Sequence, residues 1–528
     1  MGWFEWLTAL LIVVSLLYHW STGTYRYFKK KGVAFVEPYP LLGSLWPVFF
    51  RRIHPTDVIT RGYRRFPDRK FSGYFEFRKP TVLLHDPELV KQITIKDFDN
   101  FPDHANVCPI EIDPLLGRAL FFSGDQLWRE ARSGQSPAFT GSKMRNMFGL
   151  IDTYMENATK RLLVDAGGGK SEREAKDLIS KLGNDVMASV SFGVDIDSIH
   201  DPGNDYYQQG LRLAATSGFQ GLKFFLLTVL PANLFRLFGI RFMPKSCTDF
   251  YVNVINKTID HREKNNIKRP DFIHLFMQAR KNLLVTDQAD DQLNSVGFST
   301  VQEHLTGSIE NSRFTDLDIA AMAGAFIFAG IETTTSTLCF ALYELALNLE
   351  IQEKLLCEID TTHKNLGKSK LTYEVLQTMP FLDAVVSETL RKWPPIGVTN
   401  RVCNRPYTLK DLDGSKFTIA KGQVVQIPIV SFHRDPKYFS EPNNFLPTRF
   451  SPENRHLINQ STYLPFGVGP RNCIGSRLAL AQVKCVLYHL MVNFVVEFSP
   501  KMMVPVELDP SSTAMTARGG FWFNFVPR

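Results

Sequence analysis

A cysteine held between two glycine-rich turns constrains this chain more than any other feature. It lies in Pro465-Phe466-Gly467-Val468-Gly469-Pro470-Arg471-Asn472-Cys473-Ile474-Gly475, and an apolar periodic run (Leu478, Ala479, Ala481, Val483, Leu487, Leu490, Met491) begins directly after it. That order puts Cys473 at a helix N-terminus, where unpaired N–H groups and the positive end of the helix dipole favour a thiolate. Read alone, such a residue is either a metal-ligating thiolate or a buried structural cysteine.

The pattern Phe-x-x-Gly-x-Arg-x-Cys-x-Gly, filled by Phe466, Gly469, Arg471, Cys473 and Gly475, resembles the haem-binding signature of the cytochrome P450 family. The resemblance implies that Cys473 is the axial ligand of a haem b iron, an anionic sulfur that pushes electron density onto the metal. Gly467 and Gly469 would turn the backbone under the macrocycle, Gly475 would allow close helix approach, and Phe466 would shield the sulfur. Arg471 would pair with a propionate.

Other motifs fall in the order this family implies. Trp128 and Arg132, at i, i+4 in Gly124-Asp125-Gln126-Leu127-Trp128-Arg129-Glu130-Ala131-Arg132, share a helix face. They resemble the pair that contacts a haem propionate, and Arg401 resembles another propionate partner. Ala329-Gly330-Ile331-Glu332-Thr333-Thr334 resembles the oxygen-activation motif of a central helix. Its glycine and threonines weaken the local helix ladder and leave a groove for O2 and water. Thr333 would hydrogen-bond the activated oxygen and Glu332 would feed protons inward. Glu388-Thr389-Leu390-Arg391 with Arg449 resembles the family's buried structural ion set, although Thr448 stands where an acid is commonest.

Seven cysteines, odd in number, scattered and free of any C-x-x-C pair, argue against a disulfide framework or a zinc site and favour a reducing compartment. With 528 residues and 44% hydrophobic content the chain can bury a large core. A net charge of +7 suits acidic partners or anionic lipid better than nucleic acid.

From Trp6 to Trp20 the chain is almost wholly apolar, flanked by aromatic residues and followed by Arg26, Lys29, Lys30 and Lys31. This reads as an uncleaved membrane anchor with its basic side in the cytosol; a signal peptide is the competing reading. Pro38, Pro40 and Gly43 form a stiff connector. Residues 71–85 alternate as a hairpin with Lys79-Pro80 at its turn, and 101–123 form a long irregular loop. Met144 to about Phe276 is mostly helical; within it the apolar stretch 218–244 is either buried core or a membrane-dipping surface. Residues 280–312 read as a polar connection. A long buried helix starts near Thr315 and runs to about Leu347, and Phe521–Phe525 alternates as a final strand beside a small-residue turn.

These features predict a mainly α fold with a minor β portion: a single haem-thiolate domain of the cytochrome P450 fold carrying an N-terminal membrane anchor. Residues 1–25 are expected to be the anchor, 26–45 a basic, proline-containing linker and 46–528 the catalytic domain. The overall texture is most similar to insect detoxification members of the microsomal type. The implied function is a monooxygenase that inserts one oxygen atom from O2 into lipophilic small molecules, xenobiotics or endogenous lipids. Electrons would come from NADPH through cytochrome P450 reductase, with cytochrome b5 as a further partner, at the endoplasmic reticulum membrane. No G-x-G-x-x-G fingerprint supplies a dinucleotide site in the chain itself. A reductase-independent haem-thiolate isomerase or dehydratase and a non-catalytic binding protein for hydrophobic ligands are the alternatives. Retention of Glu332-Thr333 counts against both.

Overall fold

The computed structural model describes residues 2–528 apart from 106–107, 215–231, 242, 282–296 and 302–313. The central element is the helix Asp316–Leu347, 32 residues long. Thr315 caps it: its hydroxyl accepts the Asp318 N–H, and the Asp318 carboxylate accepts the Thr315 N–H at 2.9 Å. Apolar on nearly every side, it is covered by the helices Ala175–Met187, Lys245–Asn265, Pro380–Lys392 and Ser476–Asn493. The main hydrophobic core forms around these contacts.

The β portion is small. Strands β1 (Phe71–Glu76), β2 (Lys79–Leu84), β7 (Val424–Ile427) and β4 (Thr399–Val402) form one sheet in that order. β3 (Ser171–Glu174), β9 (Trp522–Pro527) and β8 (Phe494–Phe498) form a second, and β5 (Tyr407–Lys410) pairs with β6 (Lys416–Ile419). The hairpin β1–β2 forms as its alternation predicts, but its turn is Phe77–Arg78, with Phe77 at φ 56°, and Lys79-Pro80 already belongs to β2. Strand β3 has no apolar alternation to announce it; it exists because β9 offers an antiparallel edge.

Trp3–Thr22 forms a 20-residue helix whose apolar side chains are largely exposed. At about 1.5 Å per residue it spans roughly 30 Å, the thickness of a bilayer core, which fits a membrane anchor. The following stretch sits on the first sheet: Phe28 is fully buried against Phe35, Phe75 and Phe417, and Val36 bonds Gly73. The apolar stretch 218–244 and the polar connection 280–312 lie mostly outside the described residues. Of the former, the helix Ala232–Leu237 is described, with Leu237 and Phe238 exposed.

Candidate active site

Cys473 stands three residues before the helix Ser476–Asn493, whose N-cap is Gly475. Its N–H donates to the Phe466 carbonyl at 2.8 Å, closing the loop on itself. Gly467 and Gly469 adopt φ of 74° and 76°, a region costly for any residue with a Cβ. A Cβ on Gly469 would also overlap the Thr94 carbonyl oxygen. The close approach expected at Gly475 falls instead on Gly469, because a Cβ on Gly475 meets no protein atom within 4 Å. Although residues 471 and 472 are buried, Cys473 is exposed, so the loop presents its sulfur outward from a fixed backbone.

Trp128 and Arg132 project from the helix Asp125–Gln135 onto this loop. Arg132 donates to the Asn472 carbonyl at 2.9 Å and to its side-chain oxygen at 2.7 Å. The Trp128 ring lies 4.0 Å from the Arg471 guanidinium. Arg471 reaches into the irregular loop, donating to the carbonyls of Pro102, Leu120 and Ser123 and to Asp103 at 2.7 Å. The 101–123 loop is thus pinned by the residue two before the cysteine.

Arg401 enters from β4, paired opposite Val425 of β7. It is 2% exposed, and its Nε has no hydrogen-bond partner among the described residues. Burial pushes its pKa down to about 10. Arg471 is pushed down to about 9, by burial first and then by Arg401 and Arg132, with Asp103 opposing. Neighbouring His104 is held well below its usual range by burial and by Arg401 and Arg471. Between them Arg401 and Arg471 have one carboxylate partner among the described residues, Asp103, and it pairs with Arg471 alone. Buried positive charge in this excess calls for an anion.

On the central helix, Ala329 is exposed and Ala325 and Thr333 are half-buried, an i, i+4, i+8 stripe of accessible small residues in a helix that is mostly buried. The Thr333 hydroxyl donates to the Ala329 carbonyl at 2.7 Å, Thr334 to Gly330 and Thr337 to Thr333. Sequence reasoning anticipates this back-bonding. It does not anticipate that Glu332 pairs with Lys176 of the helix Ala175–Met187 at 2.8 Å. Ser336 donates to the Met515 carbonyl, tying this helix to the small-residue turn near the C-terminus.

Glu388 and Arg391 are fully buried and doubly bonded at 2.7 and 2.8 Å, with Arg449 3.4 Å from the same carboxylate. The structural ion set forms despite Thr448. Asp103, His104, Asn472 and Lys176 are the site residues that sequence reasoning misses: Asn472 fills a variable position of the cysteine motif, and the other three lie in no motif.

The cytochrome P450 family model matches residues 37–522. The chain belongs to the cytochrome P450 family. It is 36% identical to cytochrome P450 9b2 of Drosophila melanogaster over 98% of both chains. Cytochrome P450 9e2 of Blattella germanica is 35% identical over 99% of this chain and 98% of its own. Cytochrome P450 6k1 of the same insect is 31% identical over 98% and 96%. These relatives agree with the resemblance to insect detoxification P450s. As a cytochrome P450 the chain is a haem-thiolate monooxygenase that uses haem b, O2 and NADPH-derived electrons delivered by a redox partner, and acts on lipophilic small molecules. The residues present fit that cofactor: an outward sulfur, an accessible helix stripe, and an arginine cluster short of the negative charge that two propionates carry.

Proposed function

We propose that Cys473 ligates the haem iron of this P450 and that Trp128, Arg132, Arg401 and Arg471 hold the propionates. Haem, when bound through a thiolate, supplies the chemistry that splits O2 and transfers one oxygen atom. Gly467 turns the backbone of the cysteine loop, and Phe466 keeps water from the sulfur. The observation carrying this reading is the buried Arg401, whose Nε lacks a partner among the described residues, beside the crowded Arg471.

Thr333 supplies a hydroxyl on the accessible stripe, its proton resting on the Ala329 carbonyl until an oxygen acceptor is near. Glu332, held by Lys176, sits one residue away and relays protons from the helix Ala175–Met187 toward that hydroxyl. The catalytic domain is 46–528, the anchor 1–25, and 26–45 joins them while resting on the first sheet. The electron donor is NADPH–cytochrome P450 reductase, with cytochrome b5 as a second donor, and the anchor holds the enzyme in the endoplasmic reticulum membrane facing the cytosol. Substrates are lipophilic xenobiotics or endogenous lipids.

NADPH-dependent turnover of a lipophilic compound panel with added reductase, read by mass, tests this. Products that gain one oxygen, or lose an alkyl group through such an insertion, are expected. Rearrangement of a peroxide without NADPH or reductase, and no oxygen insertion, would overturn it.

A further inference from the structure

Away from the haem-facing surface, Asp152, Cys485 and His489 form a buried cluster between two long helices. Cys485 and His489 lie at i, i+4 on Ser476–Asn493, so sulfur and imidazole leave one helix face a turn apart. Asp152 meets them from Gly141–Asp165, which packs along that helix. The three ligand atoms lie within 4.8 Å of one another, with Asp152 Oδ1 2.8 Å from His489 Nε2.

One sulfur, one imidazole and one carboxylate are a donor set that suits Zn2+. Thiolate and carboxylate together neutralise the ion, which a buried site requires. Glu156, one turn beyond Asp152, is 37% exposed and already paired with Lys160 at 2.6 Å, so a fourth ligand would come from solvent on that side.

Cysteine spacing alone argues against a zinc site, but this donor set uses a single cysteine: we propose that Asp152, Cys485 and His489 bind one Zn2+ ion, clamping the helix that follows the Cys473 loop to Gly141–Asp165. On binding, the Cys485 S–H gives its proton to solvent as the Zn–S bond forms, and the proton shared by His489 Nε2 and Asp152 Oδ1 moves to His489 Nδ1, so that the Asp152–His489 hydrogen bond is exchanged for two metal bonds. No oxidation state changes.

The test uses the full-length, haem-loaded protein with any affinity tag removed, equilibrated with zinc and then dialysed. Metal analysis is expected to give about one zinc per haem, falling about tenfold or more in Cys485→Ala and His489→Gln but not in Cys357→Ser, whose cysteine is exposed elsewhere. Zinc-edge X-ray absorption of the unaltered protein is expected to show a sulfur neighbour at about 2.3 Å with nitrogen or oxygen at about 2.0–2.2 Å. The absorption measurement needs no variant, so it decides the matter even where Cys485→Ala fails to fold. No retained zinc, a zinc content indifferent to Cys485→Ala, or a shell without sulfur would each overturn the assignment.

Discussion

Arg132 grips Asn472 through two guanidinium nitrogens, one on the backbone carbonyl and one on the side-chain oxygen, across 340 residues of sequence. A helix a quarter of the way along the chain thereby holds the residue next to Cys473. The planar fork is what permits both bonds at once, and a lysine has no such fork. Arg132→Lys is therefore expected to lower haem retention several-fold while the chain still folds. Haem content per protein by absorbance, alongside far-UV circular dichroism, checks this; full haem content in the variant would contradict it.

Replacing the sulfur tests the axial ligand directly. Cys473→Ser is expected to abolish the thiolate-type absorption band of the reduced CO complex. An unchanged band would refute the assignment.

Thr333 and the Glu332–Lys176 pair are expected to govern how electrons are used. In Thr333→Ala, haem and substrate binding persist while a larger share of NADPH-derived electrons leaves as hydrogen peroxide. If the ion pair acts as a unit, Lys176→Gln and Glu332→Gln raise peroxide to a similar degree, and the double variant adds little to either. Independent, additive effects would separate Lys176 from the relay.

Glu388 and Arg391 have no access to solvent. Arg391→Ala leaves a carboxylate buried without its counter-ion, a loss of about 3–5 kcal/mol. The expected outcome is little soluble haem-loaded protein, measured as the yield of the reduced-CO signal. Near-normal yield would show that Arg449 alone compensates.

His433 sets a pH limit on stability. Its Nε2 accepts the Leu464 N–H at 2.8 Å, and its carbonyl accepts from Arg391 at 2.7 Å. Burial, and then the Arg391 charge, push its pKa from 6.5 down to about 3. The unfolded chain thus binds a proton that the folded chain refuses. Stability is complete above about pH 6.5 and is lost toward pH 3, by up to about 1.4 kcal/mol per pH unit. Denaturant unfolding at pH 7.5 and 5.5 should show the decline, and His433→Gln should flatten it. An equal decline in that variant would assign the effect to other groups, such as His85, pushed down to about 4 by burial.

The sequence alone determined what is encoded locally. Within eleven residues, the glycines that need positive φ, the arginine and the cysteine write out a loop conformation. The capped, apolar run from Thr315 to Leu347 likewise writes out a buried helix, and the apolar N-terminal segment an exposed one. Such features depend on backbone sterics and hydrophobic periodicity, which a short window contains. Tertiary structure decided which polar groups meet. Arg471, implied by resemblance to serve a propionate, also spends its donors on Pro102, Asp103, Leu120 and Ser123. Glu332 finds Lys176 across 156 residues, and β3 exists only because β9 lies beside it. These bonds depend on distance and angle after packing, and no periodicity in the chain carries that information.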